Sequence, residues 1–367
     1  MSRKILIICV DALGPDYLEA ADTPNMDRLG REGVFAVGES AIPSVTNVNN
    51  VSIITGAPPR VHGVTSNYWI DRATGRESYM EAPEFMRYPT VLERARACGM
   101  STCLLTAKKK LLDLLNAGAD YSLAAEEPDE EMVDKLGAAP DIYSIEINLW
   151  LFRALEAALD LRKPDVTYCA TTDWAMHKYA PEEEESIRHV QGLDAALGEI
   201  LAKHPGMEVY ITADHGMSAK SRGVDIEKAL ARHGVRSRAI PIIKDRYVEH
   251  HGNLGGAAYV YLEDTGQRSK AIEILADTGG IEEVYGCEEA AERFELMEER
   301  IGDLLVLGDA DTVFGSFEAE SVRVRVRSHG SRHESAVPIL AYGGRKTARY
   351  RRNRDIVAGL GIDQVPS

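Results

Sequence analysis

The segment KILIICVDA (residues 4–12) contains an uninterrupted apolar run, residues 5–10, which is followed by the acid Asp11. Such a run is typical of a strand in a parallel sheet that is buried on both faces. Similar runs follow at STCLLTAKK (101–109), DVTYCATTD (165–173), EVYITADHG (208–216) and AVPILAYGG (336–344). Helix-like segments lie between them, at residues 23–33, 89–99, 145–161 and 181–204. The alternation predicts an α/β fold with a doubly wound, mostly parallel sheet and helices on both faces.

The pattern changes between about residues 217 and 325. Strand-like pieces such as AAYVYLED (257–264) and LLVLGD (304–309) lie there between turn-rich segments. We therefore predict a catalytic core of residues 1–216, an inserted small α+β cap of residues 217–325, and a return to the core over residues 326–367.

Composition excludes some classes of protein. The 367 residues include 58 acidic and 42 basic side chains, for a net charge of −16. This charge disfavours a nucleic-acid or membrane partner, since both kinds of binding depend on basic patches. The five cysteines are scattered and suggest buried, reduced thiols. With no apolar run near the roughly 18 residues of a membrane span and no cleavage signal, we predict a soluble cytoplasmic protein. The oligomeric state stays open, and a homodimer is compatible with the sequence.

Acids and histidines follow several of the predicted strands. Asp11, Asp173 and the pair Asp214-His215 each end an apolar run, and His177 follows Asp173 by one helical turn. Ligands bind outside the carboxyl ends of strands in α/β sheets. A single acid at such a place is usually a turn or cap residue. Three acids accompanied by histidines instead predict a di-metal site, and SHGSRHES (328–335) adds His329, with His333 as its alternative.

The segment AIPSVTNVNNVSIITG (41–56) places Thr46 at or near a helix N-terminus. Free N–H groups and the helix dipole favour an anion there. One interpretation makes Thr46 an ordinary N-cap. The other makes it a nucleophile, because a hydroxyl bound to a metal ion has a lowered pKa.

Together these motifs resemble the alkaline phosphatase superfamily, in its nucleotide pyrophosphatase/phosphodiesterase branch, and most of all the phosphonoacetate hydrolases. The finer similarity depends on TNVNNVSIITGAPPRVHGVTSNYWID (46–71), TAKKKL (106–111), ADHGMSAK (213–220) and DRYVEHHGNLGGAAYVYL (245–262). The resemblance implies two zinc ions, although the same ligands accept manganese or iron. It implies that one ion is held by Asp173, His177 and His329. The other is held by Asp11, Asp214 and His215, with Thr46 on it as the nucleophile. It also implies that Asn67 binds a phosphoryl oxygen; the alternative is an ordinary turn residue.

Lys108 and Lys110 bear on the substrate. If TAKKK continues a strand, the two side chains point to the same side, and if it has turned helical they diverge. Paired ammonium groups would bind a carboxylate and stabilise the enediolate that forms when a C–P bond breaks next to it. The alternative is a solvated basic start to a helix. In the inserted segment, His251 is the favoured further contact to such a carboxylate, and His250 is ambiguous.

The sequence therefore predicts a di-zinc hydrolase that converts phosphonoacetate, a small anionic phosphonate, to acetate and phosphate through a phosphothreonine. The alternatives are a phosphodiesterase or nucleotide pyrophosphatase acting on P–O bonds, and a non-catalytic metal-binding scaffold. We expect His189, His204 and His233 on the surface. Three acidic stretches (126–134, 182–185 and 282–299) are expected outside a positive pocket.

Overall fold

The computed structural model describes residues 3–344 and 349–362. Its strands are β1 (Ile5–Cys9), β2 (Val34–Glu39), β3 (Tyr68–Ile70), β4 (Glu77–Tyr79), β5 (Thr102–Thr106), β6 (Tyr121–Ala124), β7 (Val166–Ala170), β8 (Glu208–Thr212), β9 (Ser218–Val224), β10 (Ser237–Pro241), β11 (Ala257–Leu262), β12 (Ile281–Gly286), β13 (Leu304–Gly308), β14 (Thr312–Phe314), β15 (Ser321–Ser328) and β16 (Ala336–Tyr342).

The α-helices are α1 (Pro15–Ala20), α2 (Pro24–Glu32), α3 (Thr46–Thr55), α4 (Pro59–His62), α5 (Val91–Ala97), α6 (Lys109–Leu115), α7 (Glu130–Leu136), α8 (Glu146–Arg162), α9 (Trp174–Lys178), α10 (Glu184–Lys203), α11 (Ile226–Ala231), α12 (Val248–His251), α13 (Arg268–Ala276), α14 (Cys287–Phe294) and α15 (Asp355–Ala358). The four helices expected between the main strands are confirmed as α2, α5, α8 and α10.

A seven-stranded sheet organises the core, in the order β2-β16-β8-β1-β7-β5-β6. The five strands β8, β1, β7, β5 and β6 are mutually parallel, whereas β16 runs antiparallel to both of its neighbours. The predicted α/β fold with a mostly parallel sheet is therefore confirmed. The edge strands β2 and β6 were not predicted from the sequence.

Both faces of this sheet are buried, as the apolar runs predict. In β1, Leu6 and Ile8 join the hydrophobic cluster that contains residues of α8 and α10. Ile5, Ile7 and Cys9 join the cluster on the opposite face, with residues of α3, α5 and α6. Successive strand residues alternate between faces, so a strand covered on both sides needs apolar residues at every position.

The chain between β8 and β16 builds two smaller sheets. One is a four-stranded antiparallel sheet in the order β10-β11-β13-β12, and the other is a ribbon in the order β14-β9-β15. Side chains of the four-stranded sheet pack with Ala41, Ile42, Val45 and Val48 around the start of α3. The division of the chain at residues 217 and 325 stays a prediction.

Two further observations concern the described residues. Their cysteines are all free thiols, and Cys98 is the exposed one. None of their helices combines the length and apolar character needed to cross a membrane.

Candidate active site at the carboxyl edge of the sheet

Three aspartates lie together at the carboxyl edge of the main sheet. Asp11 follows β1, Asp173 follows β7 and Asp214 follows β8. These three strands are neighbours and run parallel, so their carboxyl ends meet at one edge. The structure therefore brings together the acids that the sequence placed at strand ends.

The first cluster of potential metal ligands consists of Asp11, Asp214 and His215, whose ligand atoms all lie within 4.8 Å of one another. His215 Nε2 lies 3.4 Å from Asp11 Oδ1 and 3.6 Å from Asp214 Oδ2. Thr46 Oγ1 lies 3.4 Å from the same imidazole nitrogen. The predicted nucleophile is thus next to the predicted ligands of one ion.

Asp173 belongs to two further groups of potential ligands. One group includes His177 and His250, and the other includes His215 and His329. Asp173 Oδ2 lies 3.0 Å from His177 Nε2 and 3.7 Å from His329 Nε2. The predicted set Asp173, His177 and His329 therefore converges on one carboxylate oxygen, and His250 joins it as an additional candidate.

Backbone carbonyls orient the three histidines of the predicted ligand sets. The Nδ1 atoms of His177, His215 and His329 lie 2.8, 2.9 and 2.8 Å from the carbonyl oxygens of Arg327, Gly216 and Ser44. Each Nδ1–H is therefore the donor, and each Nε2 keeps a lone pair that faces the clusters. Metal-binding histidines are commonly held in this way.

The clusters fit divalent metal ions. Both carboxylate oxygens of Asp11 and the Nε2 atom of His177 are buried and have no hydrogen-bond partner among the described residues. Burial and the neighbouring carboxylates of Asp173 and Asp214 raise the pKa of Asp11, and burial raises the pKa of Asp214 to about 7. A bound cation would relieve the cost of these buried carboxylates. Zinc, manganese and iron accept this combination of oxygen and imidazole ligands.

Thr46 is the first residue of α3, whose N-cap is Val45. The interpretation of Thr46 as an N-cap is therefore wrong, and its hydroxyl lies beside the first cluster instead. Asn50, one turn further along the helix, donates from Nδ2 to Asp214 Oδ2 at 3.1 Å. This link between α3 and a potential metal ligand was not predicted from the sequence.

Asn67 is buried beside residues 242 and 243. Its Nδ2 atom donates to the carbonyl oxygen of Ile243 at 3.4 Å. Its Oδ1 atom has no hydrogen-bond partner in the part of the chain that the structure describes. Its binding of a phosphoryl oxygen stays a prediction.

Lys108 is the N-cap of α6 and Lys110 lies in its first turn, since β5 has ended at Thr106. The segment has turned helical, so the same-side geometry of a strand does not apply. Both buried ammonium groups nevertheless lie over the ring of Tyr247, at 5.8 and 5.2 Å from its centroid. Lys108 donates to Asp173 Oδ1 at 2.8 Å. Tertiary packing thus brings together two side chains that the local helix geometry would separate.

Residues 244–252, which we call the strap, pack against both lysines and against Asp173. Asp245 of the strap forms a buried ion pair with Lys110. His250 Nε2 lies 2.9 Å from Asp173 Oδ1. His251 Nε2 lies 3.0 Å from Asp245 Oδ1, so the favoured substrate contact is joined to Lys110 through that carboxylate.

Asp245 and Tyr247 were not predicted as site residues. The signal that could have found them is the density of charged and aromatic residues in DRYVEHH, next to the histidine pair that was singled out.

The electrostatic surroundings set Asp173 and Asp245, the nearest carboxylate partners of the two lysines, apart from Asp11 and Asp214. Burial alone would raise the pKa of Asp173, but Lys108 and His250 bring it well below its ordinary value. Lys110 and His251 likewise hold the pKa of Asp245 far below its ordinary value despite burial. Both carboxylates are therefore charged, and they fix the positions of the two lysines.

Three side chains, those of His189, Glu126 and His333, bear on expectations from the sequence. The prediction that His189 lies on the surface is wrong, because the residue is fully buried. Its Nε2 atom lies 3.4 Å from Asn148 Nδ2. Glu126, from an acidic stretch expected on the outer surface, is half-buried and accepts a hydrogen bond from Tyr247 at 2.6 Å. His333 pairs with Glu282 at 2.7 Å, so it is His329 that lies in the cluster.

Comparison with known proteins agrees with this geometry. The model of the family "type I phosphodiesterase / nucleotide pyrophosphatase" matches residues 5–332. Among curated proteins, the chain is 25% identical to mouse bis(5'-adenosyl)-triphosphatase enpp4 over 248 residues, which cover 62% of this chain and 51% of that protein. It is 26% identical over 240 residues to an uncharacterised pyrophosphatase/phosphodiesterase of Schizosaccharomyces pombe, covering 59% of this chain and 45% of that one. The chain thus spans about half the length of these curated relatives.

Solved structures give a fuller match. Phosphonoacetate hydrolase from Sinorhizobium meliloti 1021, solved with phosphonoformate and with phosphonoacetate, is 32% identical with a TM-score of 0.88. The match covers 98% of this chain and 96% of that one. Murine ectonucleotide pyrophosphatase/phosphodiesterase 5 shares the fold, with a TM-score of 0.72 at 17% identity over 97% of this chain and 93% of that one. The chain therefore belongs to the type I phosphodiesterase/nucleotide pyrophosphatase family, a hydrolase branch of the alkaline phosphatase superfamily.

Proposed function

We propose that this protein is a metal-dependent hydrolase that cleaves the C–P bond of a carboxylated phosphonate, with phosphonoacetate giving acetate and phosphate. The observation that carries the proposal is the buried pair Lys108 and Lys110 beside the Asp/His clusters. Cleavage of a C–P bond leaves charge on an adjacent carboxylate, which paired ammonium groups stabilise, whereas P–O cleavage has no such requirement. The similarity to a phosphonoacetate hydrolase over 98% of the chain supports the same substrate.

Thr46 is the proposed nucleophile. Its hydroxyl proton passes to a water molecule, its oxygen attacks phosphorus while the C–P bond breaks, and the electron pair of that bond passes to the departing carbon. The neighbouring carboxylate delocalises this pair as an enediolate, which takes a proton from water and leaves as acetate. A second water then attacks the phosphothreonine, so that phosphate leaves and the threonine hydroxyl is restored.

The proposed cofactor is a pair of zinc ions, whose ligands would be Asp11, Thr46, Asp214 and His215 for one and Asp173, His177 and His329 for the other. Bound there, such ions would lower the pKa of the threonine hydroxyl and offset the charge of the phosphonate oxygens. Asn67 is the proposed donor to a phosphoryl oxygen.

The lysines have donors to spare for a substrate carboxylate. An ammonium group carries three N–H donors. Lys108 uses one on Asp173, and Lys110 uses one on Asp245. The buried position of both groups strengthens their interaction with charge that develops nearby.

The deciding experiment assays zinc-loaded protein with phosphonoacetate beside bis(p-nitrophenyl) phosphate. Phosphate release from phosphonoacetate is the expected main reaction. Turnover of the diester with no phosphate released from phosphonoacetate would refute the proposal.

That second outcome would favour a phosphodiesterase or nucleotide pyrophosphatase, the activity class of the matching family model. Protein that holds no zinc and turns over neither substrate would instead favour a non-catalytic scaffold. A cytoplasmic location stays a prediction.

A further inference from the structure

A second polar cavity lies behind the start of α3. It has a volume of about 430 Å³, within the range of small-molecule sites. We call it the arginine pocket, after the four arginines among its lining residues: Arg293, Arg332, Arg352 and Arg354. It is separate from the Asp/His clusters, none of whose residues line it.

The lining carries an excess of positive charge. Its four arginines face two glutamates, Glu39 and Glu295, so the side chains that line it sum to +2 in a chain whose net charge is −16. Guanidinium groups bind phosphate and carboxylate through paired N–H donors. The pocket therefore has the charge and the donors for a small oxyanion.

Two of the arginines are anchored and two have donors available. Arg354 and Arg332 are paired with Glu295 and Glu283, which fixes their positions. Arg293 has no carboxylate partner among the described residues and lies over the ring of Tyr285 at 5.2 Å. Arg352 reaches Glu39 only at 3.8 Å, with 41% of its side chain exposed.

Ser40 gives an independent indication of a ligand. Ser40 lines the pocket and is 1% exposed. Its hydroxyl has no hydrogen-bond partner among the described residues. A buried hydroxyl without a partner is costly. An oxyanion between the arginines would accept its hydrogen bond.

The pocket adjoins the backbone that holds the candidate active site. The Ser40 N–H donates to the carbonyl oxygen of Ser335 at 2.7 Å, and four residues later the Ser44 carbonyl accepts from His329. Between Arg352 and Arg354, Asn353 donates from Nδ2 to the carbonyl oxygens of Ala213 and Asp214, at 3.2 and 3.4 Å.

We propose that the arginine pocket binds a small oxyanion of the phosphate class. The arginines neutralise its charge, and Ser40 donates one hydrogen bond. The ligand would lie beside segments that also hold His329 and Asp214 through hydrogen bonds from neighbouring residues. This proposal does not depend on which bond the enzyme cleaves.

Calorimetric titration of the metal-loaded protein with inorganic phosphate tests the proposal. The variant Arg293→Gln/Arg352→Gln should lose one phosphate site present in the wild type, or bind it at least about tenfold more weakly. The control Arg323→Gln/Arg325→Gln removes two exposed charges from β15, outside the pocket, and should bind like the wild type.

Ser40→Ala supplies a second test that leaves the surface charge unchanged. It should weaken the same site several-fold. If the double arginine variant binds as many phosphates as the wild type, with the same affinity, the proposal is wrong. Equal loss in the Arg323→Gln/Arg325→Gln control would also overturn it, because the effect would then be one of net charge.

Discussion

The carboxyl edge of the main sheet and the strap supply the candidate site in different ways. At the sheet edge, Asp11, Asp173 and Asp214 follow the ends of three hydrogen-bonded parallel strands within three residues. In the strap, a four-residue helix and its flanking loops bring Asp245 and His250 to the site. The three aspartates among the potential metal ligands are thus positioned by the sheet, whereas the groups around the two lysines depend on long-range contacts of the strap.

This difference indicates which residues bear on the reaction itself and which bear on the choice of substrate. The sheet edge provides the potential metal ligands and, through α3, the proposed nucleophile Thr46, and neither depends on a carboxylate in the substrate. The strap touches Lys108 through Tyr247 and Lys110 through Asp245, so it bears on the proposed carboxylate site. Changes at the sheet edge should affect every substrate, and changes around the strap should affect carboxylated phosphonates most.

The largest effect is expected from Thr46→Ala. Loss of the nucleophile should lower kcat by at least about 10³-fold on every substrate. The metal content, measured by elemental analysis, should stay at the wild-type value, because three other ligands remain in that cluster. Full residual activity in the variant would show that Thr46 is not the nucleophile.

The lysines should separate the substrates. Lys108→Ala and Lys110→Ala should each lower kcat/KM for phosphonoacetate by about 10²-fold, with a smaller effect on a phosphodiester, because only the phosphonate develops charge on a carboxylate. Lys109→Ala is the matched control, since Lys109 pairs with Asp113 on the surface. Equal losses on both substrates would contradict a carboxylate site.

The strap should influence the metal site through His250. Its Nε2 lies against Asp173 Oδ1, the oxygen opposite the one that faces His177 and His329. His250→Gln should therefore weaken one metal site by about 10- to 100-fold, the usual cost of losing an outer-shell partner. Competition with a chelator measures this affinity. Glu249→Gln, an exposed strap residue, is the control, and the idea fails if both variants bind metal alike.

The smallest effect concerns stability and lies outside both regions. Burial lowers the pKa of His62 to about 3 and that of His189 to about 4. In the unfolded chain these imidazoles titrate near pH 6.5, so below that pH the unfolded state binds protons that the folded state does not. The free energy of unfolding should be highest above pH 6.5 and fall on acidification, by up to about 1.4 kcal/mol per pH unit for each histidine.

Urea unfolding between pH 5 and 7 measures this slope. The double variant His62→Gln/His189→Gln should show a shallower dependence on pH, whatever its absolute stability. His233→Gln removes an exposed histidine and should keep the wild-type slope. An unchanged slope in the double variant would mean that neither buried imidazole is responsible.

The fold could be predicted from the sequence because its decisive signals are local. An apolar strand such as ILIIC needs cover on both faces wherever it lies, and an acid directly after a parallel strand must lie at the carboxyl edge of the sheet. The positions of Asp11, Asp173, Asp214 and His215 follow from these two rules. The position of Thr46 at the start of a helix follows from another local pattern, the segment of residues 41–56.

At His189, the charge of the neighbouring residues and the spacing of the apolar residues indicate different positions. Its charged surroundings suggested a surface position, yet Leu193 and Leu197 follow it at intervals of four and share its buried face of α10. The helical period of the apolar residues therefore indicates the buried position correctly.

The α/β architecture and the acids and histidines at the strand ends follow from local sequence alone, since both depend on neighbouring residues and on the period of the strand. The tertiary structure decided the rest. Lys110 meets Asp245 across 135 residues of chain, His250 reaches Asp173, and the two lysines share the Tyr247 ring although the helix turns them apart. Such contacts arise from the packing of distant segments, and no local pattern specifies which segments meet.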